Sequence, residues 1–169
     1  MKVGIIADTH DVLSCAHEAA ELFRAEGVEM IFHLGDVCAP GLLEPLAGNG
    51  ARVVGVFGNN DGLLRAADGG RGAFQEGPRL VEAGGRAILM AHRFDALRGE
   101  LGTGGRFDLV LFGHTHRAMT MRVGRALVLN PGEGCGLLTG RRTCAVVDLR
   151  SMQAAIVDLG GRARAAEGG

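Results

Sequence analysis

The chain has 169 residues, a formal net charge of -1 and 29 glycines, with neither Trp nor Tyr. A domain of this length buries about 70% of the surface its unfolded chain exposes, so a sizeable core is available. Basic residues are scattered, the densest groups being Arg141 with Arg142 and Arg162 with Arg164, which argues against an electrostatic track for extended nucleic acid while leaving a nucleotide-sized ligand open.

Taken from the N-terminus, Lys2 to Ala7 is an apolar run that Asp8, His10 and Asp11 interrupt at once, so it reads as a strand and not as an export signal. Val12 to Glu26 places Val12, Cys15, Ala16, Ala19, Leu22 and Phe23 at helical spacing, with Gly27 as its stop. Glu29 to Leu34 is the next strand-length run. A shorter helix is expected from Pro40 to Gly48, followed by a third strand at Arg52 to Phe57. The first half is thus a parallel strand, helix, strand series.

Asp68 to Gly77 is rich in glycine and reads as a surface loop, either a plain connection or a lid. Beyond residue 78 the strands crowd together: Leu80 to Ala83 and Ile88 to Ala91 flank Gly84-Gly85 as a hairpin, within the longer run Arg86 to Ala91. Gly102-Thr103-Gly104-Gly105 lacks the lysine and spacing of a phosphate-binding loop and reads as a connection to Phe107–Phe112. Met119 to Val123 and Leu127 to Leu129, within the run Ala126 to Leu129, suggest a second hairpin about Gly124, and Cys144 to Leu149 with Ala154 to Leu159 supply closing strands. The expected organisation is one domain over residues 1–160 with a frayed tail at 161–169.

Cys15, Cys38, Cys135 and Cys144 form no CxxC pair, which favours a reducing, cytoplasmic setting over a disulfide framework. No apolar run approaches the roughly 18 residues needed to cross a bilayer, so a soluble protein without membrane contact is expected.

The chemistry lies immediately beyond each apolar run. These ends are Asp8-Thr9-His10, Gly35-Asp36, Gly58-Asn59-Asn60-Asp61, His92, and Gly113-His114-Thr115-His116. In open α/β sheets, binding crevices form beyond the carboxyl ends of strands, so the five groups are expected to meet. Residues two apart in extended chain share a side, which would aim Asp8 with His10, and His114 with His116, into one cleft. Seven candidate metal ligands, Asp8, His10, Asp36, Asn59, His92, His114 and His116, exceed one tetrahedral ion but suit two, with Asp36 the natural bridge. His33, inside an apolar run, reads as a core histidine, His17 as an exposed one, and Cys38 as a small packed residue.

This ordered set resembles the calcineurin-like metallophosphoesterases, in particular their small single-domain phosphodiesterase branch, over nearly the whole chain. Asn130-Pro131-Gly132 resembles the family's turn after the histidine pair. The resemblance implies an α/β fold, a four-layer αββα sandwich of two mixed β-sheets flanked by helices. It implies Asp8, His10, Asp36 and His116 around a first metal, Asp36, Asn59, His92 and His114 around a second, and a bridging water or hydroxide as nucleophile. The expected metals are two divalent ions, Mn²⁺ first, with Ni, Fe or Zn as alternatives. The expected reaction is phosphodiester hydrolysis on a small nucleotide, cyclic or activated diester, and a homo-oligomer is compatible with it. The alternative is a non-catalytic binding scaffold like the retromer subunit of the same fold; a nuclease would call for extra basic segments.

Two departures stand out. Asn60 occupies the place where many members carry a general-acid histidine, which implies weak action on poor leaving groups. His92-Arg93-Phe94 replaces the family's His-Gly-His, so Arg93 is a candidate phosphate binder or else a surface arginine. Asp61 is expected to orient its neighbours or cap a helix.

Overall fold

A computed structural model describes residues 1–48, 50–68, 73–102 and 106–160. The first half runs β1 (Lys2–Ile6), α1 (Leu13–Ala25), β2 (Val28–His33), a 3₁₀ turn Pro40–Leu42 leading into α2 (Leu43–Ala47), β3 (Arg52–Val56), α3 (Gly62–Asp68) and β4 (Phe74–Gln75). The second runs β5 (Arg79–Ala83), β6 (Arg86–Ala91), a 3₁₀ turn Phe94–Leu97 leading into α4 (Arg98–Gly102), then β7 (Leu109–Phe112), β8 (Met119–Val123), β9 (Ala126–Asn130), β10 (Thr143–Asp148) and β11 (Gln153–Asp158).

Two mixed sheets result, in strand orders β11-β10-β1-β2-β3-β4 and β5-β6-β7-β9-β8. Strands β1 to β4 run parallel in the first, and β6, β7 and β9 in the second, while β10, β11, β5 and β8 pair antiparallel. Period-two alternation explains how apolar runs serve both faces. Val3, Ile5 and Ala7 join Phe32, Leu34 and Val56 to meet Ile88, Met90, Leu109, Leu111 and Leu129 between the sheets. Ile6 and Ile31 turn the other way, onto Cys15, Ala19 and Phe23 of α1. On the far face of the second sheet, Leu89, Val110, Phe112 and Val128 pack with Leu97 and Phe107. The layers are therefore helix, sheet, sheet, helix, the four-layer α/β sandwich expected. Gly4 is required in β1 because a Cβ there would stand 2.8 Å from the Phe23 ring.

Two local expectations change. Pro40 to Gly48 is a 3₁₀ turn joined to a single helical turn, not one helix. The stretch Asp68 to Gly77 is not all loop, because Phe74–Gln75 pairs with β3 and the buried Phe74 ring tilts against Phe57 and His33. The hairpin at Gly84-Gly85 forms as expected, with both glycines at positive φ and Ala83 opposite Arg86. Residues 69–72, with the lid expected there, the 103–105 connection and the 161–169 tail lie outside the described residues.

Candidate functional site

Because β1, β2 and β3 are parallel, as are β6 and β7, the residues after them leave the two sheets at one rim. The sheets are tied together there. His114 N–H donates to Asp8 Oδ2 at 3.0 Å, His92 Nδ1 lies 2.8 Å from the Leu34 carbonyl, and Gly134 N–H donates to the Ala7 carbonyl at 2.8 Å. The rim gathers all seven residues read from the sequence.

They do not arrive there as extended chain. Asp8 (φ 52), His10 (φ 42), Asp36 (φ 56), His114 (φ 64) and His116 (φ 59) all take the left-handed region, which side chains bearing Cβ seldom adopt and which collects at functional sites. Extended-chain alternation therefore fails as the reason for convergence; left-handed turns aim the side chains. They also divide the last pair. His116 stacks on His10 with ring centroids 5.3 Å apart, whereas His114 meets His92 edge-on at 5.0 Å. Gly58 makes room for this, since a Cβ there would overlap Asp36 Oδ1 and the Asp36 nitrogen.

The separations between facing atoms are informative. Asp36 Oδ2 stands 3.6 Å from His10 Nε2 and 3.6 Å from His92 Nε2, and Asp8 Oδ1 stands 3.6 Å from His116 Nε2. On the other flank, His92 Nε2 is 3.0 Å from Asn59 Oδ1 and 3.2 Å from His114 Nδ1. Donor atoms about 2.1 Å from a shared cation lie about 3.0 Å from one another at right angles and about 3.6 Å at about 120°, so the spacing suits ligands around ions. Asp8 Oδ1 and His10 Nε2 are buried without a hydrogen-bond partner, although such atoms are normally satisfied.

The second nitrogens explain the orientation of the first. His92 Nδ1–H donates to the Leu34 carbonyl and His116 Nδ1–H to Glu133 Oε2 at 2.7 Å, which leaves both Nε2 lone pairs facing the cleft. Burial pushes the Asp8 carboxyl up to about 7, against the pull of His116, with Asp36 and Glu133 adding like charge. Burial is the larger cause, and the neighbouring carboxylates add to it where His116 only partly offsets it. Burial, with His92 and Arg93 nearby, holds His114 below the usual imidazole range. The residues present thus fit divalent cations in geometry, in unsatisfied lone pairs and in charge.

Around this set, Asp61 accepts the N–H groups of Asp36 (2.9 Å) and Gly58 (2.7 Å) on Oδ2 and of Cys38 (2.8 Å) on Oδ1, bracing the loops that carry Asp36 and Asn59. It stands just before α3, but its carboxylate is spent on these loops. Asn60 donates from Nδ2 to Asp36 Oδ2 and from its backbone to Oδ1, both at 2.8 Å. Arg93 forms a two-pronged pair with Asp95, both contacts 3.0 Å, while its Nη1 lies 3.3 Å from His114 Nε2. His33 is fully buried: Nδ1 accepts from Gly35 N–H, so Nε2 carries the proton facing Thr9 Oγ1. Burial drives its pKa down to about 4. His17 is exposed. Cys38 Sγ lies 3.7 Å from His10 Nδ1, and all four cysteines are free.

Sequence reasoning missed Glu133. It is fully buried and takes His116 Nδ1, Leu138 N, Thr139 N, Thr139 Oγ1 and Cys135 Sγ. Burial works to raise its pKa, but the bonds from His116, Thr139 and Leu138 prevail and hold it at about 2. A carboxylate between two glycines just after a strand, in Gly132-Glu133-Gly134, was the available signal. Asn130, noted in the sequence only as part of the Asn130-Pro131-Gly132 turn, donates from Nδ2 to the Gly113 carbonyl and Thr115 Oγ1, fixing the turn between the two rim histidines. A cavity of about 430 Å³ opens on the site, lined by His10, Asp36, Asn59, Asn60, His114, His116, Leu137 and Leu138.

A four-layer sandwich with carboxylates, an amide and histidines meeting at one strand rim is the arrangement of the metal-dependent phosphoesterases. The sequence model of the calcineurin-like phosphoesterase superfamily domain matches residues 1–152, and the chain belongs to that superfamily, a group of hydrolases. Phosphodiesterase MJ0936 of Methanocaldococcus jannaschii is 32% identical over 154 residues, covering 88% of this chain and 93% of that protein. A solved archaeal phosphodiesterase superposes with TM-score 0.83 at 30% identity, over 94% of this chain and 99% of the other. Vacuolar protein sorting 29 from Cryptosporidium parvum gives TM-score 0.69 at 21% identity, over 93% and 95%, a likeness of fold alone. None of the described helices is long and apolar enough to cross a membrane.

Proposed function

We propose that this metal-dependent phosphoesterase hydrolyses small phosphodiesters at a two-metal centre. Asp8, His10, Asp36 and His116 would hold one ion, and Asp36, Asn59, His92 and His114 the other, with Mn²⁺ the first candidate. The observation that carries the reading is Asp36 Oδ2, a single oxygen 3.6 Å from histidine nitrogens on either side. Its neighbours sort into two sets about it. The phosphodiesterase relatives support the choice of diesters. Four free cysteines support a reducing, cytoplasmic setting.

Divalent ions held by these residues would lower the pKa of water at the site and neutralise charge developing on the phosphoryl oxygens. The chain's own groups do the rest. Asp61 and Glu133 hold the loops and the His116 ring so that lone pairs face the cleft. With His114 Nδ1 turned to the cleft, its Nε2 bears the proton and cannot accept from Arg93. The Arg93 Nη1 donors are then free for a phosphoryl oxygen, while Asp95 steadies the guanidinium. Asn60 donates hydrogen bonds but has no proton to give a departing alkoxide, so esters of acidic alcohols react best.

The complete carboxylate and histidine set distinguishes this reading from a non-catalytic scaffold. Its test is turnover of bis(p-nitrophenyl) phosphate, an alkyl phosphodiester and p-nitrophenyl phosphate by Mn²⁺-reconstituted protein, beside Asp36→Ala. The aryl diester should be cleaved fastest and Asp36→Ala should be inactive. Equal rates in Asp36→Ala would sink the site, equal rates on aryl and alkyl diesters the role of Asn60, and an unchanged KM in Arg93→Ala the phosphate contact.

A further inference from the structure

The rim loop after Glu133 presents an anomaly. Leu137 and Leu138 are 67% and 75% exposed, adjacent in sequence, and both line the cavity that holds the candidate ligands. Exposed leucines scattered singly are ordinary. These two sit together at the mouth of a cleft whose other walls are polar.

Their exposure is not slack chain. Glu133 fixes the loop from beneath, accepting Leu138 N–H at 3.1 Å, Thr139 N–H at 2.5 Å and Thr139 Oγ1 at 2.6 Å. Gly136 (φ 72) and Gly140 (φ 74) turn the chain on either side, and a Cβ on Gly136 would stand 2.6 Å from Arg142 Cγ. Arg141 anchors the far end through its pair with Asp158 at 3.0 Å. A buried carboxylate that orders a loop while leaving its two leucines in water builds a platform, because apolar surface held beside a polar centre gains free energy when a ligand covers it.

We propose that Leu137 and Leu138 form a subsite for a ring-sized apolar or aromatic substituent of the phosphoester, such as an aryl group or a nucleobase. The proposal rests on the phosphodiesterase reading and names its substrate class. Two neighbouring leucines offer a patch the size of one ring, not the length of an acyl chain. The cavity is continuous with the proposed metal ligands, so a phosphoryl group there would carry its substituent onto the leucines. Glu133 is the positioning residue, joining His116 and the platform through one carboxylate.

The test uses the Mn²⁺-loaded protein and Leu137→Ser/Leu138→Ser, whose altered side chains are already in solvent. Calorimetry compares phenylphosphonate with methylphosphonate. The wild type should bind the phenyl compound about tenfold more tightly, a ratio that the double variant reduces to near unity while Mn²⁺ stoichiometry stays the same. For bis(p-nitrophenyl) phosphate the variant should raise KM with kcat held. Equal affinities in the wild type, or a phenyl preference that survives in the variant, overturn the subsite. So does a wild-type dimer in sedimentation that the variant dissolves without any ester preference, since the leucines would then serve self-association. Failure of the underlying reading looks different: the wild type would show the phenyl preference and turn over no diester.

Discussion

The two rims of the paired sheets treat charge in opposite ways. At the rim away from the cleft, Asp108 takes Arg125 at 2.6 Å, Arg86 at 3.3 Å and the Ala87 N–H at 3.0 Å, and Arg86 also donates to the Leu149 carbonyl. Every partner comes from the chain itself. At the cleft rim, carboxylates and imidazoles face each other at 3.6 Å, two of their atoms have no hydrogen-bond partner, and five of the residues hold left-handed backbone. The first arrangement is finished by folding, whereas the second is left with atoms that folding does not pair. Charge at a strand end is thus structural where the protein supplies the counter-charge and functional where it withholds it.

The comparison breaks first at Asp36. If the cleft depends on this carboxylate, Asp36→Ala should lose about 10³-fold or more in kcat/KM and lower the Mn²⁺ stoichiometry seen by equilibrium dialysis, with little loss of metal-free thermal stability. Full stoichiometry in the variant would remove the bridge. Next comes Glu133, where Glu133→Gln should weaken Mn²⁺ binding by about 10- to 100-fold, the usual cost of losing the group that orients a ligand histidine. Unaltered affinity, with His116 in the same tautomer by NMR, would mean that Glu133 serves only the loop.

Gly58→Ala should rank third, because its Cβ overlaps Asp36 and must displace it. The expected reading is both a lower Tm and a loss of activity; a lower Tm alone would detach the glycine from the site. The smallest effect belongs to the other rim. Asp108→Asn should cost about 1 kcal/mol of stability near neutral pH and leave kcat and KM unchanged. Arg125, with the Ala87 N–H and Arg86, holds the Asp108 carboxyl below the usual carboxylate range. Its stabilisation is therefore present above about pH 4 and disappears as pH falls through the lower folded value. Denaturant melts of the two proteins should converge in acid, and a gap that persists there would show that the contribution is not ionic.

Much of the fold was legible because its strands are short apolar runs ended by glycine, aspartate or histidine, and hydrophobic periodicity is a local property. α1 was legible for the same reason. α3, β4 and the Phe94–Gly102 segment were not, since α3 and the paired Phe94–Leu97 and Arg98–Gly102 turns are short and β4 is a strand of two residues held by the burial of one ring. Within the site, the seven candidate ligands could be picked out by residue type and position after strands. Glu133 also follows a strand between two glycines, but its role could not be read, because its partners His116 and Thr139 lie 17 residues before and 6 after it.

Residue order alone determined that this chain carries short apolar runs ending in candidate metal ligands, a pattern of a few neighbouring residues, and the order of those ends along the chain carried the resemblance to the phosphoesterases. Only the tertiary structure decided which nitrogen of His92 and of His116 faces inward, and that a buried glutamate stands behind His116. Those outcomes depend on left-handed turns and on hydrogen bonds between segments that meet through the packing of two sheets, and no local pattern encodes such a meeting.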